Sequence, residues 1–193
     1  MNRIYIKANE TGAWNVIEGE LVDFSAVNGT WNNCNASVTP WNTALTSEEY
    51  PPDVEGEWTG GWLPVVDKLA EHLGKIPNPY DYGYNVELIP AGGEDLPLGT
   101  EVIKHYAMGR FSREMAQVMP DNKTVYFGDD GTDRVLYKFV ATNEGDLSEG
   151  TLSAAKITQD KETLNLEWIE LGSAKDADIA AAIRELDAQF AQQ

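Results

Sequence analysis

Short segments in which polar and apolar residues alternate dominate this chain. Each is rich in Val, Ile, Tyr, Phe, Trp or Thr, and most are bounded by Gly, Pro, Asn or Asp. Alternation with period two over about 5–8 residues predicts β-strands joined by tight turns. The predicted strands are Arg3–Lys7, Val38–Thr46, Tyr84–Ile89, Val102–Tyr106, Thr124–Phe127, Val135–Val140, Thr151–Ile157 and Leu164–Leu171.

Two polar segments predict turns between these strands. Pro120–Lys123 lies between two alternating runs and has the composition of a type I turn in a hairpin. Gly128–Gly131 predicts a second turn, which ends the strand Thr124–Phe127.

Two segments have the apolar spacing of amphipathic helices. The first is Leu63–Leu73, which Gly74 follows as a C-terminal stop. The second is Asp176–Ala191, and Asp176 and Asp178 in its first turn suit the positive end of the helix dipole. The apolar faces consist of Val65, Val66, Leu69, Ala70 and Leu73 in the first helix and of Ile179, Ala182, Ile183, Leu186 and Phe190 in the second.

A long insertion rich in Pro, Gly and aromatic residues occupies residues 50–83 and contains the first helix. A connection of this length inside a compact domain is usually functional, so the sequence predicts a functional loop or lid. The alternative is a structured surface excursion that its Trp and Tyr side chains hold in place.

The number of strands and the small number of helices predict a mainly β architecture in a single domain over residues 1–193, with a C-terminal helix over residues 176–192. Sandwich, barrel and propeller all fit the pattern. At about 40–50 residues per four-stranded blade, the chain is long enough for about four propeller blades. No internal repeat is clear enough to demonstrate blades.

Charge narrows the set of partners. The chain has 193 residues, with 32 acidic and 14 basic side chains and a formal net charge of −18. A field of this sign argues against nonspecific binding of nucleic acid and against anionic membrane surfaces. Excess carboxylate suits hard cations such as Ca²⁺, although a solvated acidic surface explains the same composition.

Cysteine content and hydropathy limit the disulfides and the membrane-spanning segments that the chain can contain. The chain has one cysteine, Cys34, so no internal disulfide can form. No apolar run approaches the roughly 18 residues of a membrane span. The first residues lack the apolar stretch of a signal peptide, so the sequence gives no visible export route.

The first candidate cluster joins a thiol to a pair of carboxylates. Cys34 precedes Glu49 by 15 residues, and Glu48 adjoins Glu49. Thiolate and carboxylate ligands together suit a transition metal beside a harder cation. Because the intervening residues alternate like a strand, the two ends need not be close. The alternative is that Cys34 is a small buried hydrophobic residue and that the two glutamates form a solvated strand end.

The second cluster contains Arg110, Arg113 and Glu114. Arginine can bind phosphate through a bidentate fork, and glutamate can bind a metal, so Arg110 and Glu114 are candidate catalytic residues. An ordinary surface ion pair is the alternative. His105, a few residues earlier, is expected to be a hydrogen-bonded structural residue.

The third cluster places Asp129, Asp130 and Asp133 within five residues. Their oxygens can ligate a cation, but the spacing is not that of an EF-hand, and a polar turn explains the same residues. The sequence contains no G-x-G-x-x-G, P-loop, H-E-x-x-H or G-x-S-x-G motif.

Taken in order, these clusters resemble one family, the PhoX-type alkaline phosphatases. The segment NCNASVTPWNTALTSEE resembles their N-C-x-G-G-x-T-P-W-G-T-x-L-T-C-E-E segment. AMGRFSRE resembles A-L-G-R-F-x-H-E, and VYFGDDGTDRVLYKF resembles V-Y-x-G-D-D-…-L-Y-K-F. The resemblance covers about residues 28–156.

The resemblance implies a β-propeller, here a partial propeller of antiparallel blades with two short helices. It implies an exported bacterial phosphomonoesterase that acts on a small phosphate ester with an iron and calcium cofactor. Carried over by position, the resemblance implies iron ligands at Cys34 and Glu114, a calcium ligand at Glu49 with Glu48 as its neighbour, and a calcium or supporting role for Asp129 and Asp130. The inference that Arg110 faces phosphate rests on its chemistry alone.

The chain departs from the family pattern at several positions. Asn35-Ala36 replaces a Gly-Gly pair, Asn42 a glycine, Ser47 a cysteine and Arg113 a histidine. Further family ligands fall beyond the equivalent of Gln193, so we expect a fragment or a truncated relative. Two alternatives stay open: a noncatalytic calcium-binding propeller-like module, and an unrelated β-domain. If blades are missing, exposed sheet edges favour self-association.

Overall fold

Eleven strands form three antiparallel sheets in the computed structural model of the chain, which describes residues 1–54, 58, 63–93 and 96–190. A two-stranded sheet consists of β1 (Asn2–Ala8) and β2 (Trp14–Leu21). A four-stranded sheet has the order β3 (Asn33–Val38), β4 (Ala44–Glu48), β5 (Asn85–Gly93) and β6 (Leu96–His105). A five-stranded sheet has the order β7 (Arg113–Val118), β8 (Thr124–Asp129), β9 (Leu136–Asn143), β10 (Asp146–Asp160) and β11 (Thr163–Lys175).

Two α-helices accompany the sheets, α1 (Leu63–Leu73) and α2 (Asp176–Phe190). Both predicted helices are therefore confirmed, and so is the mainly β class with antiparallel strands. The predicted C-terminal residues of the second helix, 191 and 192, lie outside the described residues. Neither helix combines the length and the apolar character needed to cross a bilayer.

The strand prediction is wrong at one important place. Val38–Thr46 is not one strand, because the chain reverses between Val38, the last residue of β3, and Ala44, the first residue of β4. The Thr39 N–H donates to the Thr43 carbonyl at 2.9 Å, and Asn42 has a left-handed backbone with φ of 64°. Asparagine tolerates this conformation better than most residues, so the TPWNT segment is a turn signal that the alternation concealed.

Strands β2 and β7 were not predicted, and of β3 the prediction includes only Val38. In β2 the consecutive apolar residues Val16 and Ile17 break the alternation, and β7 begins with the charged pair Arg113 and Glu114. Strand β8 continues to Asp129, two residues beyond its predicted end. Tertiary packing therefore extends the sheets past the limits of the local pattern.

The principal apolar core lies on one face of the five-stranded sheet. Its centre contains Val125, Phe127 and Phe139, each at most 2% exposed, and Leu45 of β4 packs into the same cluster. Because Leu45 belongs to the four-stranded sheet, this core joins the two larger sheets.

A second core packs both helices against the segments that precede β3 and β5. Trp31, Trp58, Val66 of α1, Tyr82 and Phe190 of α2 form one buried cluster. The ring centroids of Trp31 and Tyr82 are 5.7 Å apart, and those of Trp58 and Tyr82 are 6.0 Å apart. The aromatic residues of the predicted insertion thus anchor α1, as the structured-excursion alternative requires.

Candidate metal centre

The β3–β4 hairpin places Cys34 and Glu49 at the same end of the four-stranded sheet. Asn33 of β3 is directly opposite Glu48 of β4, and the Glu49 N–H donates to the Asn32 carbonyl at 3.2 Å. The sequence analysis left the separation of Cys34 and Glu49 open because it treated the intervening segment as a strand. The reversal at residues 39–43 removes that separation.

Strand β7 brings Glu114 to the same place from the other sheet. The Ser37 hydroxyl of β3 donates to the Ala116 carbonyl of β7 at 2.5 Å, so the first strands of the two larger sheets lie side by side. Glu114 and Cys34 are 80 positions apart in the sequence, and this contact between sheets is what makes them neighbours.

One ligand atom from each of Cys34, Glu49 and Glu114 lies within 4.8 Å of the other two. We call these three residues the acidic thiol cluster. Ligands bound to one ion at about 2.0–2.6 Å are separated by no more than about 5 Å, so a single ion can contact all three. A sulfur donor with two carboxylates fits a transition metal, and the carboxylates also fit calcium. The donor set therefore agrees with a metal site.

The electrostatics of the cluster favour a bound cation. Partial desolvation and the negative charges of Glu49, Glu114 and Asp130 raise the pKa of the Cys34 thiol. Cys34 and Glu114 are exposed, whereas Glu49 is buried. Like charges that converge on one point repel one another, and a metal ion placed between them removes that repulsion.

Asp130 extends the cluster through Tyr50. The Tyr50 hydroxyl donates to an Asp130 carboxylate oxygen, and this bond and the Asp130 charge raise the pKa of Tyr50 to about 12. The Tyr50 N–H donates to the Ser112 hydroxyl at 2.9 Å, and the Asp130 N–H donates to the Ser112 carbonyl at 2.7 Å. Sequence reasoning missed Tyr50 and Ser112, although each lies within two residues of a predicted ligand.

Asp129 stands beside this network. One of its carboxylate oxygens accepts the Ser112 N–H at 3.1 Å, and the other is 4.0 Å from Nε of Arg134. The carboxylate therefore supports the loop that carries Ser112, which suits the supporting role that the sequence analysis considered. A direct calcium ligand at Asp129 stays a prediction.

Glu48 has a different environment from Glu49. Its side chain is fully buried, and both carboxylate oxygens accept hydrogen bonds. The donors are the Thr30 hydroxyl, the N–H groups of Trp31, Gly83 and Tyr84, and the Lys104 ammonium group, at 2.7–3.0 Å. These contacts make Glu48 a structural carboxylate, and we leave it out of the metal site that we propose.

Arg110 also serves the fold. Its guanidinium donates to the carbonyls of Tyr82, Pro52 and Pro79 at 2.8, 2.9 and 3.5 Å, and it lies 5.7 Å from the Tyr80 ring centroid. Burial lowers the pKa of Arg110. Part of the residue reaches the cavity described below, but most of its donors are already used by the backbone.

Arg113 does not place its charge in the cluster, despite its position next to Glu114. Its side chain is fully buried and donates to Asn85 and to the carbonyls of Met108 and Gly109. Its guanidinium carbon lies 4.3 Å from the Phe127 ring centroid, and burial lowers the pKa of Arg113 to about 9. Strand β7 is irregular between Arg113 and Ala116, and there Arg113 enters the core while Glu114 is exposed.

A cavity of about 990 Å³ adjoins the cluster. Asp129 and Asp130 contribute to its wall, and so does Tyr50, which directly follows Glu49 of the cluster. Trp31 and Phe111 supply aromatic surface, and α1 supplies part of another wall. Its basic lining residues are Lys68, His72, Arg110 and Arg134.

The chain matches the model of a known protein family. Residues 7–193 match the family model described as "Alkaline phosphatase PhoX". The match spans nearly the whole sequence and includes Cys34, Glu49 and Glu114. No curated protein and no solved structure matches the chain significantly.

Proposed function

The chain belongs to the PhoX alkaline phosphatase family, and from this premise we propose that it is a metal-dependent phosphomonoesterase or a part of one. One observation carries the proposal: three ligand atoms from Cys34, Glu49 and Glu114 lie within 4.8 Å of one another. Two sheets must meet for this to happen, so a chance proximity along the chain does not explain it.

We propose that iron and calcium are the ions. Cys34 and Glu114 would hold iron, since thiolate is a soft ligand, and Glu49 would contribute oxygen to calcium. The negative charge of Asp130 raises the pKa of Cys34, and Asp130 would be a further oxygen ligand of calcium. Bound metal ions supply positive charge that stabilises the phosphoryl group during its transfer.

The substrate that we propose is a small phosphate ester. Its phosphate would face the cluster, while Trp31 and Phe111 in the cavity wall would contact the organic group. Arg134, whose side chain is 59% exposed, is better placed than Arg110 to contact an anion, because backbone carbonyls already occupy Arg110. The net charge of −18 supports a small molecule over nucleic acid or an anionic membrane.

We also propose a propeller-like arrangement of the two larger sheets. Each is an antiparallel meander whose strands follow chain order, as in a propeller blade. The first strands, β3 and β7, are adjacent and carry Cys34 and Glu114, and this adjacency supports the proposal that the cluster would face the central channel of such a propeller. Strand β11 forms one edge of its sheet, and self-association through such an edge is part of the proposal.

The test loads the full chain with Fe³⁺ and Ca²⁺ and measures metal content and hydrolysis of a chromogenic phosphate ester. We expect activity that falls about 100-fold or more in Cys34→Ser and Glu114→Gln. Glu167→Gln is the matched control, because the Glu167 side chain is 69% exposed on β11. Wild type that neither retains metal nor exceeds the two variants in turnover would refute the proposal.

A further inference from the structure

Tyr50 adopts a backbone conformation that an aromatic residue seldom adopts. Its φ is 48°, in the left-handed region. Such a conformation costs about 1–3 kcal/mol in a residue that is not Gly, Asn or Asp, and it persists only where neighbouring contacts impose it. The non-glycine residues with positive φ in the described part of the chain are Asn28, Asn32, Asn42, Tyr50, Asn122, Asp133 and Lys161.

Three polar contacts impose this conformation. The Tyr50 N–H donates to the Ser112 hydroxyl at 2.9 Å, and the Tyr50 carbonyl accepts from Nε1 of Trp31 at 3.0 Å. The third contact is the bond from the Tyr50 hydroxyl to Asp130. Burial of the ring does not explain the conformation, because Tyr50 is 55% exposed.

The contacts connect the candidate metal ligands to the cavity wall. Tyr50 directly follows Glu49, and its hydroxyl reaches the carboxylate of Asp130, which comes from the end of β8. Both residues line the cavity. The left-handed turn at Tyr50 therefore directs a hydrogen-bond donor toward the carboxylate of Asp130, which lines a second, smaller cavity together with Glu114 of the cluster.

We propose that Tyr50 is a positioning residue: its hydroxyl holds the Asp130 carboxylate at the acidic thiol cluster, where Asp130 serves as an additional oxygen donor to a hard divalent cation. The inference rests on the proposed function, since it concerns the same site. Tyr50 supplies the hydrogen bond that orients Asp130, while both Asp130 oxygens retain lone pairs for the cation.

The test measures Ca²⁺ binding to the full chain by calorimetry and thermal unfolding of the same samples. Tyr50→Phe removes the hydroxyl alone, and we expect about tenfold weaker Ca²⁺ binding, the usual loss for a hydrogen bond to a charged partner. Asp130→Asn should weaken binding further. In the Asp130→Asn background, Tyr50→Phe should have no additional effect, because the two residues act as a unit.

Tyr50→Gly separates positioning from a structural role. Glycine accepts a left-handed backbone without strain, so this variant should keep or raise the melting temperature while its Ca²⁺ affinity falls as in Tyr50→Phe. A residue that only stabilised the loop would give a lower melting temperature and unchanged affinity. Tyr5→Phe on β1 is the matched control for the loss of one phenol.

The outcomes distinguish this inference from the proposed function. Wild type that binds Ca²⁺ and hydrolyses phosphate esters, together with Tyr50→Phe of unchanged affinity, overturns the role of Tyr50 and leaves the phosphatase intact. Wild type that binds Ca²⁺ through Tyr50 and Asp130 but does not hydrolyse phosphate esters after loading with Fe³⁺ and Ca²⁺ supports the role of Tyr50 and overturns catalysis by this chain alone. Wild type without Ca²⁺ affinity overturns both.

Discussion

In two pairs of adjacent residues, one charged side chain is structural and the other is a candidate metal ligand. Glu48 is enclosed by five donors, whereas Glu49 joins the acidic thiol cluster. Arg113 enters the core, whereas Glu114 faces the cluster. The charge of Arg113, which stands where the family has histidine, is therefore directed away from the proposed cations.

The pair Glu48 and Glu49 provides a matched test at the residue scale. In wild type, Nζ of the buried Lys104 lies 3.0 Å from a carboxylate oxygen of Glu48, and Glu48→Gln removes that negative charge. The substitution also places an amide group opposite backbone N–H groups that donate to the carboxylate in wild type. We expect a loss of about 3–5 kcal/mol in the free energy of unfolding. Glu49→Gln should unfold nearly as wild type does, but bind Ca²⁺ more weakly.

Urea unfolding and calorimetry with Ca²⁺ measure the two effects separately. Glu48→Gln protein that remains folded should keep the Ca²⁺ affinity of wild type. The opposite pattern, with unfolding sensitive to Glu49 and affinity sensitive to Glu48, would exchange the roles that the contacts assign.

The sequence predicts the types of side chain in the site better than their arrangement. Cys34, Glu49 and Glu114 are recognisable from their motifs, but their convergence depends on the turn at residues 39–43 and on the contact of β3 with β7. The motif does not show which of the adjacent Glu48 and Glu49 is enclosed by donors and which joins the cluster. The sequence also does not predict the hydrogen bonds from Arg110 to backbone carbonyls, because the acceptors are far away in the sequence.

At the scale of elements, α2 is attached to the sheets by charge as well as by apolar packing. Asp176, its first residue, accepts the Ala107 N–H at 2.6 Å and contacts Nδ1 of His105 at 3.1 Å. The other nitrogen of His105 is 2.8 Å from Glu87. Farther along the helix, Arg184 pairs with the buried Asp81 at 2.5 Å. The helix therefore depends on two ionic contacts with the four-stranded sheet and its connections.

The His105 contact makes the attachment of α2 dependent on pH. Burial alone would lower the pKa of His105, but the hydrogen bonds and charges of Asp176 and Glu87 outweigh burial and raise the pKa to about 9. An unfolded histidine has a pKa of about 6.5. Because the folded value is higher, the stabilisation is complete below about pH 6.5 and is lost as the pH rises through about 9.

We expect the free energy of unfolding to fall between about pH 6.5 and pH 9.5 by an amount on the order of 3 kcal/mol. Urea unfolding at a series of pH values measures this change. His105→Gln retains a polar side chain that does not titrate, so its unfolding free energy should be lower at pH 6.5 and change less with pH. An equally steep pH dependence in His105→Gln would assign the effect to other groups.

At the scale of the whole molecule, charge repulsion acts on both the fold and the site. The chain carries 32 acidic against 14 basic side chains. Any salt stabilises such a protein by screening repulsion, and Ca²⁺ does so more effectively than Na⁺. An increase in melting temperature with Ca²⁺ therefore does not by itself demonstrate a specific site.

A specific Ca²⁺ site adds a further contribution to the free energy of unfolding, and this contribution depends on the residues that bind the ion. At a Ca²⁺ concentration about 100 times the dissociation constant, binding to the folded state contributes about 2.7 kcal/mol. For a chain of this size, the melting temperature should then rise by about 5–10 °C relative to protein in chelator at matched ionic strength. The double variant Glu49→Gln, Glu114→Gln should retain only the smaller increase caused by screening. Equal increases in wild type and variant would show that the converging carboxylates act as part of the general acidic surface, and the metal site that joins the two sheets would have to be abandoned.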